Sequence, residues 1–301
     1  SCVTVYGGQS YEPQLRALRR GVQVVVGTPG RLLDHVNKGS LRLDNIRAVV
    51  LDEADEMLRM GFINDVEWIL EQVPKPRQIL TFSATMPEPI QRIAREHLND
   101  PKHITIKSDS RTADSIEQKF LVVPQRQKME ALTRILETEP TDGVIVFTKT
   151  KTTAIVLSEQ LALAGYPTAA LHGDIAQNHR ERSVNQLKSG KVSILVATDV
   201  AARGLDVSRV SHVINYDFPH DTEAYIHRIG RTGRAGRDGN AILFVEPREK
   251  SKFGRLEYAT GQAIRPYEYR SVKEVNALRV AKFRDKIEAA LGDRQMDFFR
   301  N

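Results

Sequence analysis

The 301 residues predict an α/β protein of two domains with a helical extension, and three observations carry that prediction. Short runs rich in Val, Ile and Leu alternate with amphipathic stretches along most of the chain, the pattern of parallel strands covered on both faces by helices. A polar stretch, KSDSRTADS (107–115), divides these runs into two series and has the composition of a linker. The length also exceeds one ordinary domain of about 100–150 residues.

In the first series VTVY (3–6), VQVVV (22–26), AVVLD (48–52), QILTF (78–82) and HITI (103–106) read as strands, and PEPIQRIAREHL (87–98) as a helix. The second series has strands GVIVFT (143–148), TAALH (168–172), SILVAT (193–198), HVINY (212–216) and NAILFV (240–245), with helical patterns at 154–165 and 179–190 between them. The expected domains are 1–107 and 116–247, joined by a linker at 108–115 and followed by an extension at 248–301. Phe62 and Trp68, at helical spacing, and Phe147, on a strand, read as core.

A hydrophobic content of 41% fills two ordinary cores, while no apolar run approaches the roughly 18–20 residues of a membrane span. The single cysteine, Cys2, excludes an internal disulfide framework and a multi-cysteine metal site, and fits a reducing compartment such as the cytoplasm. The opening SCVTVYGGQS lacks the basic and apolar regions of a signal peptide. Of the net charge of +6, the excess sits in residues 248–301, with 13 Lys+Arg against 8 Asp+Glu. A basic tail suits a polyanionic partner, though helical tails are also basic simply to stay solvated.

Ligands of parallel sheets bind beyond the carboxyl ends of the strands. The segments found there are TPGR (28–31), DEAD (52–55), SAT (83–85), FTKTK (147–151), HGD (172–174), ATDVAARGLD (197–206) and HRIGRTGRAGR (227–237). Asp52, at a strand end, is suited to hold Mg²⁺ through water, and Glu53 to orient or deprotonate an attacking water. Arg228, Arg231, Arg234 and Arg237 recur every three residues, which on a helix would progress slowly around one side. A planar, permanently charged guanidinium suits a γ-phosphate; a solvated basic helix is the plainer alternative.

This ordered series resembles the DEAD-box family of ATP-dependent RNA helicases, from about residue 3 to about residue 290. The segment ATGQAIRPYEYRSVKEVNALRVAKF (259–283) is similar to the stretch after the second domain in the bacterial cold-shock type. The resemblance implies two RecA-like parallel-sheet domains, with ATP and Mg²⁺ as nucleotide and metal. It gives Asp52 and Glu53 the metal and water roles, and makes Arg231 and Arg234 the fingers that reach the nucleotide. Asp55, Ser83, Thr85, His227 and Asp199 become coupling residues, and Gly204 and Asp206 contact the nucleotide, Asp206 at its ribose. The resemblance also implies an RNA track: Gly7, Gly8, Thr28, Gly30 and Arg31 in the first domain, then Thr148, Lys149, Gly173, Gln177, Arg180 and Thr198 in the second. Glycine amides, hydroxyls and guanidinium groups suit backbone phosphates and 2′-hydroxyls, giving affinity without sequence preference. Plain turns and helix caps are the competing explanation for the glycines, hydroxyls and aspartates.

A nucleotide hydrolase of this class needs a loop ending in Gly-Lys-Ser/Thr ahead of the acidic strand. No such string occurs, and SGKV (189–192) ends in Val and precedes a second-domain strand. The resemblance therefore implies an incomplete first domain and a C-terminal fragment of a helicase, inactive alone. In 271–291 an interrupted stripe of Val272, Val275, Leu278, Lys282, Ile287 and Leu291 fits a helix that packs on its own domain, binds RNA, or begins a dimerisation region continuing beyond the C-terminus. Phe298 and Phe299, without partners in sequence, suggest that the natural chain continues. Two other functions fit the same core: a nucleotide-independent RNA-binding or annealing protein, against which Glu53, Arg231 and Arg234 count, and a DNA translocase.

Overall fold

The computed structural model describes residues 1–106, 115–202, 204–234 and 236–292. The linker residues 108–114 and the terminal Phe298 and Phe299 lie outside the described residues, as do the side chains of Val272, Lys282 and Leu291. The chain divides into two compact units, Ser1–Lys107 and Ser108–Asn301.

The first unit contains β1 (Cys2–Val5), α1 (Tyr11–Arg20), β2 (Val24–Gly27), α2 (Pro29–Asn37), β3 (Ala48–Leu51), α3 (Ala54–Arg59), α4 (Ile63–Gln72), β4 (Gln78–Thr81) and α5 (Glu88–His97). Its strands form two parallel pairs, β1 with β2 and β3 with β4. Leu51, Val66, Leu70 and Ile93 make the apolar core between β3 and helices α4 and α5. On the other strand faces Val24, Val26 and Val50 remain 52%, 55% and 57% exposed. HITI (103–106) does not form the expected strand: among the described residues it has no ladder partner, and Ile104 and Ile106 are 87% and 90% exposed. Alternation alone cannot hold extended backbone whose polar groups find no neighbouring strand. Phe62 and Trp68 are half-buried rather than core, because Val66 and Leu70, one turn apart, take the inward stripe of α4.

The second unit contains β5 (Ile116–Val122), α6 (Lys128–Thr138), β6 (Gly143–Phe147), α7 (Lys151–Leu163), β7 (Thr168–Leu171), α8 (Gln177–Lys188), β8 (Ile194–Ala197), α9 (Asp199–Ala202), β9 (Val210–Asn215), α10 (Thr222–Ile229), β10 (Gly239–Val245), α11 (Lys250–Thr260), β11 (Arg265–Pro266) and α12 (Val272–Gly292). Seven parallel strands run in the order β11-β5-β10-β9-β6-β8-β7. Strands β6 and β8 are buried along their whole length, and Phe147 lies in the core as expected.

Strand β5 escapes a search for apolar runs because Glu117, Gln118 and Lys119 interrupt it. Gln118 is nevertheless buried, donating to Gln262 at 2.7 Å and accepting from the Tyr225 hydroxyl at 3.0 Å. Helix α7 starts three residues before the apolar pattern does, since the Thr150 hydroxyl accepts from the Thr153 amide and caps it. SGKV marks the end of α8: Ser189 is its cap and Gly190, at φ 79°, turns the chain toward β8. A segment leaving a helix C-terminus cannot present the amide cradle of a phosphate loop, which opens a helix.

The extension folds back on α6. The Tyr267 hydroxyl donates to Glu139 at 2.9 Å, Arg134 stacks on Tyr269 at 4.4 Å, and Arg279 makes two bonds to Glu137 at 2.5 and 3.0 Å. Ser271 and Glu274 cap α12. Val275 is buried and Leu278 half-buried, so the first half of the stripe packs on its own unit. Farther along, Val280, Phe283 and Ile287 are exposed, so the stripe is not one continuous contact. None of the described helices is long and apolar enough to cross a membrane.

Two-stranded sheets with one apolar face uncovered are marginal in water. Residues 1–107 produced alone are expected to unfold without a cooperative thermal transition, followed by circular dichroism, while residues 115–292 melt cooperatively; a sharp transition in the former would contradict this.

Candidate active site and nucleic-acid interface

Strand β3 delivers its acidic residues at a sharp turn. Asp52 and Glu53 are exposed directly after Leu51, and Glu53 sits in the left-handed region at φ 50°, ψ 49°. For a residue with a Cβ this conformation costs on the order of 1–3 kcal/mol and persists only where neighbours over-determine it. Here the Ala54 amide bonds the Phe82 carbonyl at 3.1 Å, the Phe82 amide bonds the Leu51 carbonyl at 2.7 Å, and the Glu53 carbonyl takes the first bonds of α3. The Glu53 amide donates to Asp52 Oδ1 at 3.0 Å. Both carboxylates are thereby aimed outward from the strand end.

Asp55 points the other way and is buried. Its Oδ2 accepts from the Thr85 amide and the Thr85 hydroxyl, each at 2.9 Å, and its own amide donates to Ser83 Oγ at 3.1 Å. Ser83 Oγ donates in turn to the Thr85 carbonyl at 2.6 Å. Burial pushes the Asp55 carboxyl up, but the hydroxyls of Thr85 and Ser83 and the Thr85 amide outweigh it and hold the group below the ordinary carboxylate value. Neither hydroxyl caps α5, whose N-cap is Pro87.

Three of the first-unit RNA candidates, Gly7, Gly8 and Arg31, meet around a residue that nothing in the sequence singles out. Buried Gln14 donates to the Tyr6 carbonyl at 3.2 Å and to Gln9 Oε1 at 2.8 Å, bracketing Gly7 and Gly8. Its Oε1 faces Arg31 Nη1 at 3.3 Å and His35 Nε2 at 2.9 Å. Arg31 also donates to the Gln9 carbonyl and lies 4.2 Å over the Tyr11 ring. Gly8 needs its glycine for a φ of 76°. Thr28 is the N-cap of α2, though its hydroxyl makes no capping bond, and Gly30 is exposed at the helix start.

In the second unit, parallel topology brings the remaining candidates to one sheet edge. Thr148 and Lys149 follow β6, Gly173 follows β7, and Thr198 and Asp199 follow β8. Thr148 is buried, with its hydroxyl on the Thr150 carbonyl, whereas Lys149 and Gly173 are exposed. Gln177 opens α8 and bonds Glu181. Arg180 donates to the Ala201 carbonyl at 2.7 Å, and burial lowers its guanidinium pKa.

The four arginines do not share a helix. Helix α10, capped by Asp221, ends at Ile229, and Gly230, Gly233 and Gly236 break the remainder of the segment into turns, the last two at φ 67° and 73°. Arg228, still on α10, is 2% exposed and bonds Asp199 twice, at 2.5 and 2.8 Å, with Asn215 Oδ1 and the Asp217 carbonyl at 3.1 and 2.8 Å. It is neither solvated nor free for a phosphate. Asp199 therefore serves as its partner.

The turn lays the other three arginines along residues 205–208. Arg231 donates to the carbonyls of His227 and Leu205, Arg234 to the Gly230 carbonyl and to Asp206 Oδ1 at 2.9 Å, and Arg237 to the Ser208 carbonyl. This unites Arg231 and Arg234 with both nucleotide candidates: Asp206, and Gly204, whose φ of 68° and open Cβ position leave its backbone accessible. His227 is half-buried in the last turn of α10.

Family comparisons agree with this order of segments along the chain. A DEAD/DEAH box helicase profile matches residues 1–93, and a helicase conserved C-terminal domain profile matches residues 127–236. The chain belongs to the DEAD-box family of RNA helicases, and within it to the cold-shock type. An RNA helicase DeaD dimerization domain profile covers residues 271–301, placing that region inside the chain rather than only beyond it. Relatives named ATP-dependent RNA helicase DeaD are 51% identical over 98% of the chain in Mycobacterium tuberculosis and 49% identical over 99% in Haemophilus influenzae. The matches take up 52% and 49% of those relatives, so the chain spans about half the length of the curated relatives it matches. ATP-dependent RNA helicase CshA of Listeria monocytogenes is 46% identical over 98% of the chain and 56% of its own length. Among solved structures, S. cerevisiae Dbp5 bound to RNA and ADP BeF3 aligns with a TM-score of 0.81 and 30% identity over 93% of this chain and 73% of that one.

The depressed Asp55 carboxyl adds stability above its unfolded value near 3.8, and this is lost as pH falls through the lower folded value. Thr85→Val should therefore cost about 1.5–3 kcal/mol at neutral pH, with the difference closing below about pH 4, as read by denaturant titration across pH. Arg228→Ala should cost about 3–5 kcal/mol by removing the guanidinium that Asp199, the Asn215 side chain and the Asp217 carbonyl share. Arg234→Ala, which breaks a pair with an exposed Asp206, should cost at most about 1 kcal/mol in the same assay.

Proposed function

We propose that these residues form the water-activating, coupling and phosphate-sensing parts of an ATP-dependent RNA helicase. The observation that carries the reading is the left-handed turn at Glu53, which stores strain to project two carboxylates from the end of a parallel strand. In this reading those carboxylates, and in the second unit the guanidinium groups of Arg231 and Arg234, each serve the phosphates of a nucleoside triphosphate.

Mg²⁺ fits the donor set. Among the described residues no group of three or more His, Cys, Asp or Glu could hold a metal ion, and Mg²⁺ is ordinarily held through one or two carboxylates, retained waters and substrate phosphates. Asp52, exposed and with one oxygen engaged by the Glu53 amide, would hold it through water, and its charge would neutralise that developing on the phosphates. Glu53 orients the attacking water and accepts its proton. Arg231 and Arg234 stabilise the transferring phosphoryl group, and Asp206, released from Arg234, turns to the ribose.

RNA is the polyanion. Gly7, Gly8, Thr28, Gly30 and Arg31 in the first unit, and Thr148, Lys149, Gly173, Gln177, Arg180 and Thr198 in the second, offer amides, hydroxyls and cations to its backbone. Asp55, Ser83, Thr85, Asp199 and His227 relay nucleotide state. The exposed apolar residues Val280, Phe283 and Ile287 of α12, inside the dimerization profile, supply the face for a second copy.

The 301 residues contain no Gly-Lys-Ser/Thr string and should release no phosphate from ATP unaided. In a longer chain that supplies such a loop, Glu53→Gln should lower RNA-stimulated phosphate release about 100-fold or more while leaving RNA binding in place. RNA-stimulated release unaffected by Glu53→Gln would refute the assignment. Tighter binding of single-stranded DNA than RNA with a non-hydrolysable ATP analogue would favour a DNA translocase.

A further inference from the structure

Lys128, the first residue of α6, is 1% exposed. Its Nζ donates to Asp217 Oδ1 at 3.1 Å, pairs with Glu246 Oε1 at 3.2 Å and lies 5.4 Å from the Tyr216 ring centre. A buried ammonium between two carboxylates is a weak source of net stability, since desolvation offsets most of the attraction. Its placement therefore calls for another explanation.

Asp217 supplies one. It stands just beyond β9 and uses every polar atom. Oδ1 takes Lys128, and Oδ2 accepts the Lys149 amide at 2.9 Å. Its own amide donates to the Phe147 carbonyl at 3.2 Å, and its carbonyl accepts from Arg228 at 2.8 Å. One residue thus grips the loop leaving β6 on both sides of Thr148 and, through its backbone, holds the arginine that clamps Asp199. Lys149 is exposed, so its amide would otherwise be held by nothing stronger than water.

We propose that Lys128 and Asp217 are positioning residues that fix the Thr148–Lys149 loop for an RNA backbone and lock that loop to the Arg228–Asp199 pair. The RNA half of the proposal rests on the helicase reading above; the bracing half does not. Lys128 neutralises Asp217 and directs one oxygen away from itself toward Lys149. Glu246 balances Lys128 and is itself tied to Arg248 at 3.0 Å, without touching the loop.

Substitutions separate this from a merely structural ion cluster. In Asp217→Asn the charged ammonium of Lys128 retains the side-chain oxygen, which leaves an NH2 group opposite the Lys149 amide, donor against donor. Hydrogen exchange of the 301-residue chain, resolved at the Lys149 amide, should then accelerate at least about tenfold, the loss expected for a bond to a charged acceptor. Lys128→Met should do the same where it folds; Asp217→Asn, nearly isosteric, carries the test where it does not. Glu246→Gln, which disturbs the same cluster, should leave Lys149 unchanged. Unchanged Lys149 exchange in Asp217→Asn, or an equal acceleration throughout the second unit in all three variants, would overturn the proposal. Fluorescence anisotropy with a single-stranded oligo-uridine should show several-fold weaker binding for Asp217→Asn and wild-type binding for Glu246→Gln. Should the wild-type chain bind no RNA while the exchange pattern holds, the RNA reading falls and the brace stands.

Discussion

A guanidinium buried at the carboxyl ends of parallel strands cannot shed its charge, so its surroundings must answer it. Around Arg228 they do so with the Asp199 carboxylate, the Asn215 side chain and the Asp217 carbonyl, while the Phe147 ring lies 5.2 Å from the cation. These groups come from the ends of β6, β8 and β9, adjacent strands whose common direction puts their loops on one edge. The clamp fixes where α10 ends relative to those loops. It also sets where the glycine turn begins that carries Arg231 and Arg234 onto Leu205 and Asp206. The arginines on the glycine-rich turn gain their geometry from one cation that is almost wholly buried.

That arrangement explains why the arginine segment is legible in composition and misleading in shape. Three-residue spacing suggests one face of a helix, yet glycines recur at the same spacing: α10 ends at its C-cap Gly230, and Gly233 and Gly236, at φ values of 67° and 73°, keep the helix from continuing. Arg228 then points into the unit and its successors lie along residues 205–208. The uninterrupted Val/Ile/Leu strands are legible because burial on both faces demands such runs. Strand β5 is not, because its polar Gln118 is satisfied by Tyr225 and Gln262, far away in sequence. HITI shows the converse, a strand-like pattern that finds no ladder partner among the described residues.

Hubs such as Gln14 and Asp217 are invisible in sequence for a related reason. Each is a common polar residue whose importance lies in joining segments that are remote along the chain. Gln14 connects the Gly7–Gly8 turn with Arg31, and Asp217 connects the loop after β6 with α10. Residue type and spacing single out groups suited to a ligand, since ligand chemistry restricts them. They do not identify groups that hold other groups, because an amide or carboxylate can do that wherever the fold brings it.

In the first unit the same distinction has a mechanical side. The DEAD and SAT segments are physically one object: the Ala54 and Phe82 amides cross-bond them, and Asp55 is held by the Thr85 amide, the Thr85 hydroxyl and, through its backbone, Ser83. Glu53 sits in a strained conformation that these bonds sustain. Any reorientation of Glu53 must work against them, since Asp55, which Ser83 and Thr85 hold, lies two residues away on a helix of only six. Conversely, anything that draws the SAT segment away from β3 weakens the support of the Glu53 turn. The support is mutual because the same bonds serve both segments, and they converge on the short α3, with the Asp55 carboxylate at its first turn.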